Sequence, residues 1–354
     1  MDNWNDYLAS QGARHSPDDT SQTTDFGQAM SVTDLAAGFV AVVSDLGTIA
    51  VTGEDAASFL HNQLTNDVEH LGSGEVRLAG YCSPKGRLQA TFVMWRDAES
   101  IYLQLPRQLQ PALQKRLTMF VLRAKAKLSD AGTGKVVLGL GGAAAPTALR
   151  QHFDDLPEAP YRKVDTLLGT LVRVADAFGA PRYEWILSSA DAVAVLPALR
   201  TALALGGNQA WELSAIRAGV PQITTRTQEQ FVPQMINFEL LGGVNFKKGC
   251  YPGQEIVARS QYLGKLKRRT ALVTIDDIAN PDNVQAGAEV FALSDPGQPC
   301  GMVVNAAPNG VGGVDALVEM KLAALEEGTV RLGSPDGPAL AFQTMPYPLD
   351  ALEL

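Results

Sequence analysis

From Ser31 onward, apolar and polar positions fall into short runs with two distinct periods. "FVAVVSDLGTIAVTG" reads as two short strands around a turn at Ser44 to Gly47, so a hairpin is expected to begin the fold. In "EDAASFLHNQLTNDV", Phe59, Leu60 and Leu64 share one helical face, and the acids of the first turn suit the helix dipole. Strands are predicted at "EVRLAGYCS", "GRLQATFVMWRD" and "SIYLQLP". "RQLQPALQKRLTMFVLRAKAKL" predicts a helix with Leu109, Leu113 and Leu117 on one side, followed by a strand, and "KVVLGLGG" predicts another strand. "TLLGTLVRVAD" and "RYEWILSS" add strands before the helix "ADAVAVLPALRTALA". The alternation lacks the rhythm of a parallel sheet, which makes the class α+β. From about Arg268 the pattern changes to closely spaced short strands with glycine turns, the mark of a small barrel or sandwich. The first thirty residues show neither period and read as a mobile arm.

Composition narrows the function. A chain of 354 residues with 46% hydrophobic and 19% charged residues is an ordinary globular sequence of two or three packed units. Its net charge of -9 repels nucleic-acid phosphate and gives no reason to expect an anionic membrane as partner. The local exception, "KLKRR" from Lys265 to Arg269, reads first as a solvated strand edge and second as an anion-attracting rim. Cys82, Cys250 and Cys300 are too few and too far apart for a disulfide framework or a zinc knuckle, which points to a reducing cytoplasm and no metal site. No basic segment followed by an apolar one opens the chain, and "VVLGLGGAAA" falls short of a membrane span, so neither export nor anchoring is expected. The glycines of "GLGGAAAP" do not match the spacing of a phosphate loop.

The densest chemistry lies in "NFKKGCYPGQEIVAR", Asn245 to Arg259. A thiolate is favoured beside lysines or at a helix N-terminus, and Cys250 follows Lys247 and Lys248 just before a stretch that starts like a helix. Glu255 and Arg259 are four apart in the favourable order, and Gly249 and Gly253 free the backbone to turn its amides toward a bound group. A buried free cysteine in a turn explains the residues equally well. A thiol hydrolase needs a base, and none of His15, His61, His70 and His152 stands near Cys250 in sequence.

"KKGCYPGQE" with its trailing "VAR" closely resembles the K-G-C-Y-x-G-Q-E signature of the YgfZ family, folate-binding proteins related to the aminomethyltransferase (T-protein) of the glycine cleavage system. The resemblance runs from about Ser31 to Tyr347 and includes "FLHNQLTNDV", "CSPKGR", "AGVPQI" and "FVPQMINFELLGG". It implies a three-lobed ring of the T-protein type, two interleaved α+β lobes closed by a C-terminal antiparallel β-barrel. Residues 1–30 would then be a flexible arm, 31–267 the folate-binding region with the motif, 268–347 the barrel and 348–354 a tail. It also implies a cytoplasmic protein that binds tetrahydrofolate or a derivative and supports iron-sulfur enzymes through transient contact with client or assembly proteins, with neither nucleic acid nor membrane as partner. The functional residue of the family signature falls on Cys250. Lys248, Gly249, Tyr251, Gly253, Gln254, Glu255 and Arg259 inherit supporting roles. Trp211 stands where the family places a tryptophan against the pterin, and Leu46 where a second tryptophan lies in the first hairpin, leaving an apolar wall without a stack.

The competing reading is aminomethyl transfer to tetrahydrofolate. Where the T-protein carries paired acids after its glycine turn, "GRLQATFVMW" places Ala90 and Thr91, neither of which can act as a carboxylate. An accessory protein is therefore expected before a transferase, with a non-catalytic folate-binding scaffold as the third reading. Cys250 alone cannot hold an iron-sulfur cluster, so any such role is transient or shared.

Overall fold

The computed structural model describes residues 2–349, except 264, 265, 277, 279, 282 and 283. Residues 350–354 of the expected tail and Lys265 of the basic run lie outside the described residues. The helices in chain order are α1 (Asp2–Ser10), α2 (Val32–Ala37), α3 (Ala56–His61), α4 (Gln110–Val121), α5 (Ala145–Leu149), α6 (Ser189–Leu199), α7 (Asn208–Arg217), α8 (Gln254–Tyr262) and α9 (Leu322–Glu327). They pack around three main sheets, as expected for an α+β chain.

The first sheet orders its strands Val76–Cys82, Leu88–Arg96, Ser100–Pro106, Leu46–Thr52 and Lys127–Asp130, all antiparallel. The second runs Arg162–Thr166, Gly169–Ala177, Ala180–Ser188, Lys135–Gly141, Phe39–Val43 and Ala204–Gly206, with a parallel pairing only at the last strand. The third, Val330–Leu332, Glu289–Ala292, Gly301–Pro308, Val314–Lys321, Arg268–Ile275 and Leu340–Gln343, curls until its edges meet through a bridge between Arg331 and Ala339.

The strands Phe39–Val43 and Leu46–Thr52 belong to different sheets, which corrects the expected hairpin. A tight hairpin needs positive φ at its turn, and neither Ser44 nor Asp45 has it. The chain instead passes directly from one lobe to the next. Both strands are central: Phe39, Ala41 and Val43 face one core while Val40 and Val42 face another, which explains the unbroken apolar run. The crossing leaves Ser44 and Asp45 between the two sheets. There the Ser44 amide donates to Asn208 Oδ1 at 2.8 Å, fixing the start of α7.

Two further expectations change. The N-terminal stretch, read as a mobile arm, carries α1, whose Trp4 and Leu8 lie on one helical stripe and join the core beneath the second sheet. Two apolar positions in a polar segment are too few to register as a period. In the basic run, Arg268 pairs with the carboxylate of Glu319, and Arg269, 7% exposed, pairs with that of Glu239, so these two residues are internal ties rather than a solvated edge.

Candidate functional site

The motif loop rests on α3. Lys248 Nζ donates to the carbonyl of His61 and, at 3.0 Å, to that of Leu64, so a cation closes the C-terminal end of that helix. Burial pushes the Lys248 ammonium down to about 8, against the pull of Asp67 and Cys250. Its charge also lies 4.8 Å from the centre of the Tyr251 ring, and burial drives that phenol upward. Gly253, at φ 80°, packs where a Cβ would stand 2.4 Å from the Ser83 carbonyl, which locks the start of α8 onto the "CSPKGR" turn. Its role here is close packing. Gln254 Nε2 donates to the Gly249 carbonyl at 3.5 Å. Glu255 and Arg259 are exposed, and the expected ion pair between them does not form.

Cys250 is exposed on this loop, four residues before α8 begins. The histidine that looked remote in sequence is close in space. A Cβ on Gly249 would lie 3.7 Å from His61 Nε2, while His61 Nδ1 lies 3.1 Å from Asp67 Oδ1. The other Asp67 oxygen is 2.8 Å from His70 Nδ1. The Val68 amide donates to His61 Nδ1 at 3.4 Å, so an imidazole that also contacts Asp67 stands beside the residue preceding the thiol.

Trp211 and Leu46 are brought together elsewhere, in a cavity that no motif residue lines. On the face of the second sheet toward α7, Gly139 leaves room for the indole, since a Cβ there would lie 2.3 Å from Trp211 Cε3. Arg182 lies over the same ring, its guanidinium carbon 4.2 Å from the centroid. Arg182 also donates to Ser214 Oγ at 3.0 Å and to the Ala175 carbonyl at 3.1 Å. The cavity opens beside this stack, with Leu46 and Thr91 in its wall.

Three carboxyl groups enter the cavity from separate elements: Asp45 from the crossing between sheets, Glu184 from the strand Ala180–Ser188 and Glu212 from α7. Burial raises Asp45 to about 6, opposed by Arg107, and raises Glu184 to about 7, opposed by Arg182. Glu212 is raised to about 8 by burial and then by Asp45. Asp45 Oδ1, Glu184 Oε2 and the Tyr161 hydroxyl are buried without a hydrogen-bond partner, and the Gln104 amide beside Glu184 makes no bond of good geometry. Tyr161 holds φ 61°, a left-handed conformation that costs a bulky residue roughly 1–2 kcal/mol. Strain and unmet polar groups thus converge on one space.

No family model matches the chain. It is 32% identical over 228 residues to the tRNA-modifying protein YgfZ of Enterobacter sp. (strain 638), covering 64% of this chain and 68% of that protein. The chain belongs to the YgfZ family. A second YgfZ, from Edwardsiella ictaluri, is 34% identical over 222 residues, covering 62% of this chain and 66% of that protein. The glycine cleavage system aminomethyltransferase T of Bartonella henselae superposes with a TM-score of 0.76 at 17% identity, covering 97% of this chain and 96% of that one. The chain therefore has the T-protein fold.

Sequence reasoning named Trp211, Leu46 and the motif but not Asp45, Glu184, Arg182 and Tyr161, which line the cavity with Trp211 and Leu46. Glu184 and Arg182 alternate with apolar neighbours in "PRYEWIL", so two charged residues on the inward side of a buried strand were the available signal. Asp45 was hidden by the assumption of a hairpin turn.

Proposed function

We propose that this YgfZ-family chain binds a reduced folate in the cavity beside Trp211 and supports iron-sulfur enzymes through Cys250. The observation that carries the folate half is the set of buried polar groups without partners, Asp45, Glu184 and Tyr161, around an apolar wall. The aminopyrimidine edge of a pterin presents a row of N–H donors, the complement of carboxylates that lack donors. Asp45, Glu184 and Glu212 would accept from that edge, the Tyr161 hydroxyl and Gln104 amide would serve the remaining polar atoms, and Leu46 and the edge of Trp211 would flank the ring. A bound tetrahydrofolate supplies a carrier for one-carbon units. The chain's own residues exclude water and, before the folate binds, hold protons on the carboxyls.

The thiol half rests on an exposed Cys250 held on a loop that Lys248 fastens to α3, open to a partner rather than to the cavity. Among the described residues no three His, Cys, Asp or Glu side chains gather as a metal site, so a cluster served by Cys250 would belong to a client or assembly protein. The curated relatives are named as tRNA-modifying. With a net charge of -9, a role in tRNA modification is read as indirect, through a cluster-dependent enzyme. No described helix is long and apolar enough to cross a membrane.

Aminomethyl transfer is kept as a second reading by one observation. Thr91 stands where the T-protein has an acid, yet three carboxyls reach the cavity from other elements.

Titrating tetrahydrofolate should quench tryptophan emission, and Trp211→Phe should abolish most of the change. No change at high ligand concentration in the original chain removes the folate half. Cys250→Ala should leave that titration intact while lowering the activity of iron-sulfur enzymes severalfold in cells. Normal activity in that strain ends the thiol half and leaves the scaffold and transferase readings. Ammonia release from an aminomethyl donor, dependent on tetrahydrofolate and retained in Cys250→Ala, selects the transferase.

A further inference from the structure

Helix α8 leaves the Cys250 loop with an apolar face turned to solvent. Val257, 0% exposed, is its inward anchor, and Gln234 Nε2 donates to the Val257 carbonyl at 2.8 Å. On the outer side Ile256, Arg259 and Leu263 recur at helical spacing and form one stripe, with Tyr262 on the adjoining one. Ile256, Tyr262 and Leu263 are 39%, 56% and 83% exposed. Single exposed apolar side chains are ordinary on a protein surface. Three neighbouring ones on one short helix form a patch.

The surrounding charge runs against that of the whole molecule. The chain carries -9, yet between Lys247 and Lys267 the single acid is Glu255. Lys247 adjoins Phe246, whose ring meets that of Tyr262 edge-on at 5.8 Å. Lys85 projects from the turn that packs Gly86 against Ile256, where an added Cβ would lie 2.8 Å from the Ile256 Cβ. Lys85, Lys247, Arg259 and Lys267 are exposed and form no ion pair among the described residues. An apolar stripe flanked by exposed basic residues has the anatomy of a protein-binding surface.

We infer that the outer face of α8, with Lys85 and Lys247, docks a protein whose contact surface is apolar at its centre and rich in Asp and Glu around it, and that docking lays this surface over Cys250. Aliphatic Ile256 and Leu263 offer no stacking platform to a base, and the net charge of -9 opposes a phosphate chain, so an acidic protein surface fits where RNA does not. The inference rests on the reading of Cys250 as the working thiol for the orientation of the partner. The docking itself does not require the thiol.

The test places a photo-crosslinking p-benzoylphenylalanine at position 262 (Tyr262→p-benzoylphenylalanine) in cells that make this chain in place of the native copy. Irradiation should give a protein adduct whose crosslinked peptide is rich in Asp and Glu. The combined change Lys247→Glu and Arg259→Glu should lower the yield about fivefold or more, because opposed charges at an interface rim become like charges. The same crosslinker at Leu167, fully exposed on another lobe, should give no adduct that depends on those two charges. A nuclease-sensitive adduct, no adduct, or a yield unchanged by charge reversal overturns the proposal. Repeating the crosslink with Cys250→Ala separates the two ideas. An adduct that persists while client activity is unaffected by the lost thiol sustains the docking surface and ends the thiol reading.

Discussion

Arg182→Met should destabilise the protein by about 3–5 kcal/mol near pH 8, because removing one partner from a buried set of charges leaves the other uncompensated. Arg182 is 2% exposed and burial lowers its own proton affinity to about 10, so it is held charged at a cost that its neighbours must meet. Those neighbours are specific. Ser214 Oγ and the Ala175 carbonyl accept from it, the Trp211 ring lies against its guanidinium, and its charge counters the burial of Glu184. Methionine keeps the volume and loses all four contacts. Glu184 would then have no nearby cation and would stay protonated to a higher pH. At pH 5.5 it is already protonated in the native chain, so the loss should be smaller there. Urea unfolding at both pH values reads the difference. A loss under about 1 kcal/mol at each pH is the size of a single ordinary hydrogen bond, and would mean that Arg182 does not hold the site together.

The fold was legible wherever one face of an element carried a clear period. Leu113 and Leu117, on the buried side of α4, placed that helix. It was least legible where a strand is buried on both faces. "FVAVV" and "LGTIAV" have no polar side to reveal which sheet each joins, and the two were read as partners because they are adjacent in sequence. That error concealed the most informative residue of the cavity, since Asp45 matters only if the chain crosses between lobes at that point. The motif was legible as a motif, but its mechanics were not. Lys248 looked like an electrostatic neighbour of Cys250, and the structure adds a second task, capping the carbonyls of His61 and Leu64 from a distance in sequence that no local pattern reports. Similarly, the T-protein acid missing at Ala90 and Thr91 counted against transfer chemistry only while no other carboxylate was known to reach the same space.

Without ligand, the protein should lose stability as pH rises from about 4 to 8, opposite to the usual behaviour of paired carboxylates. The sign follows from the three cavity acids. Their native values, about 6 for Asp45, 7 for Glu184 and 8 for Glu212, lie above those of the unfolded chain, so between the two limits the native state binds more protons. Their stabilising contribution is complete below the unfolded values and is lost as pH passes through the native ones, with a slope of up to about 1.4 kcal/mol per pH unit for each group. Carboxylates held low by hydrogen bonds, such as Asp97 and Glu75, act below that window and do not cancel it. Melting temperatures between pH 5 and 8 should therefore fall, and Glu212→Gln should flatten the upper part of the curve; a flat or rising profile in the original chain would show that these acids are not held neutral. A pterin edge donating N–H bonds to the same groups favours their ionised forms, lowers their proton affinity and releases protons on binding. Affinity for tetrahydrofolate should accordingly increase from pH 6 to 8, and calorimetry in buffers of different ionisation enthalpy should detect the released protons. Binding of undiminished strength with no proton release would place the folate away from Asp45, Glu184 and Glu212.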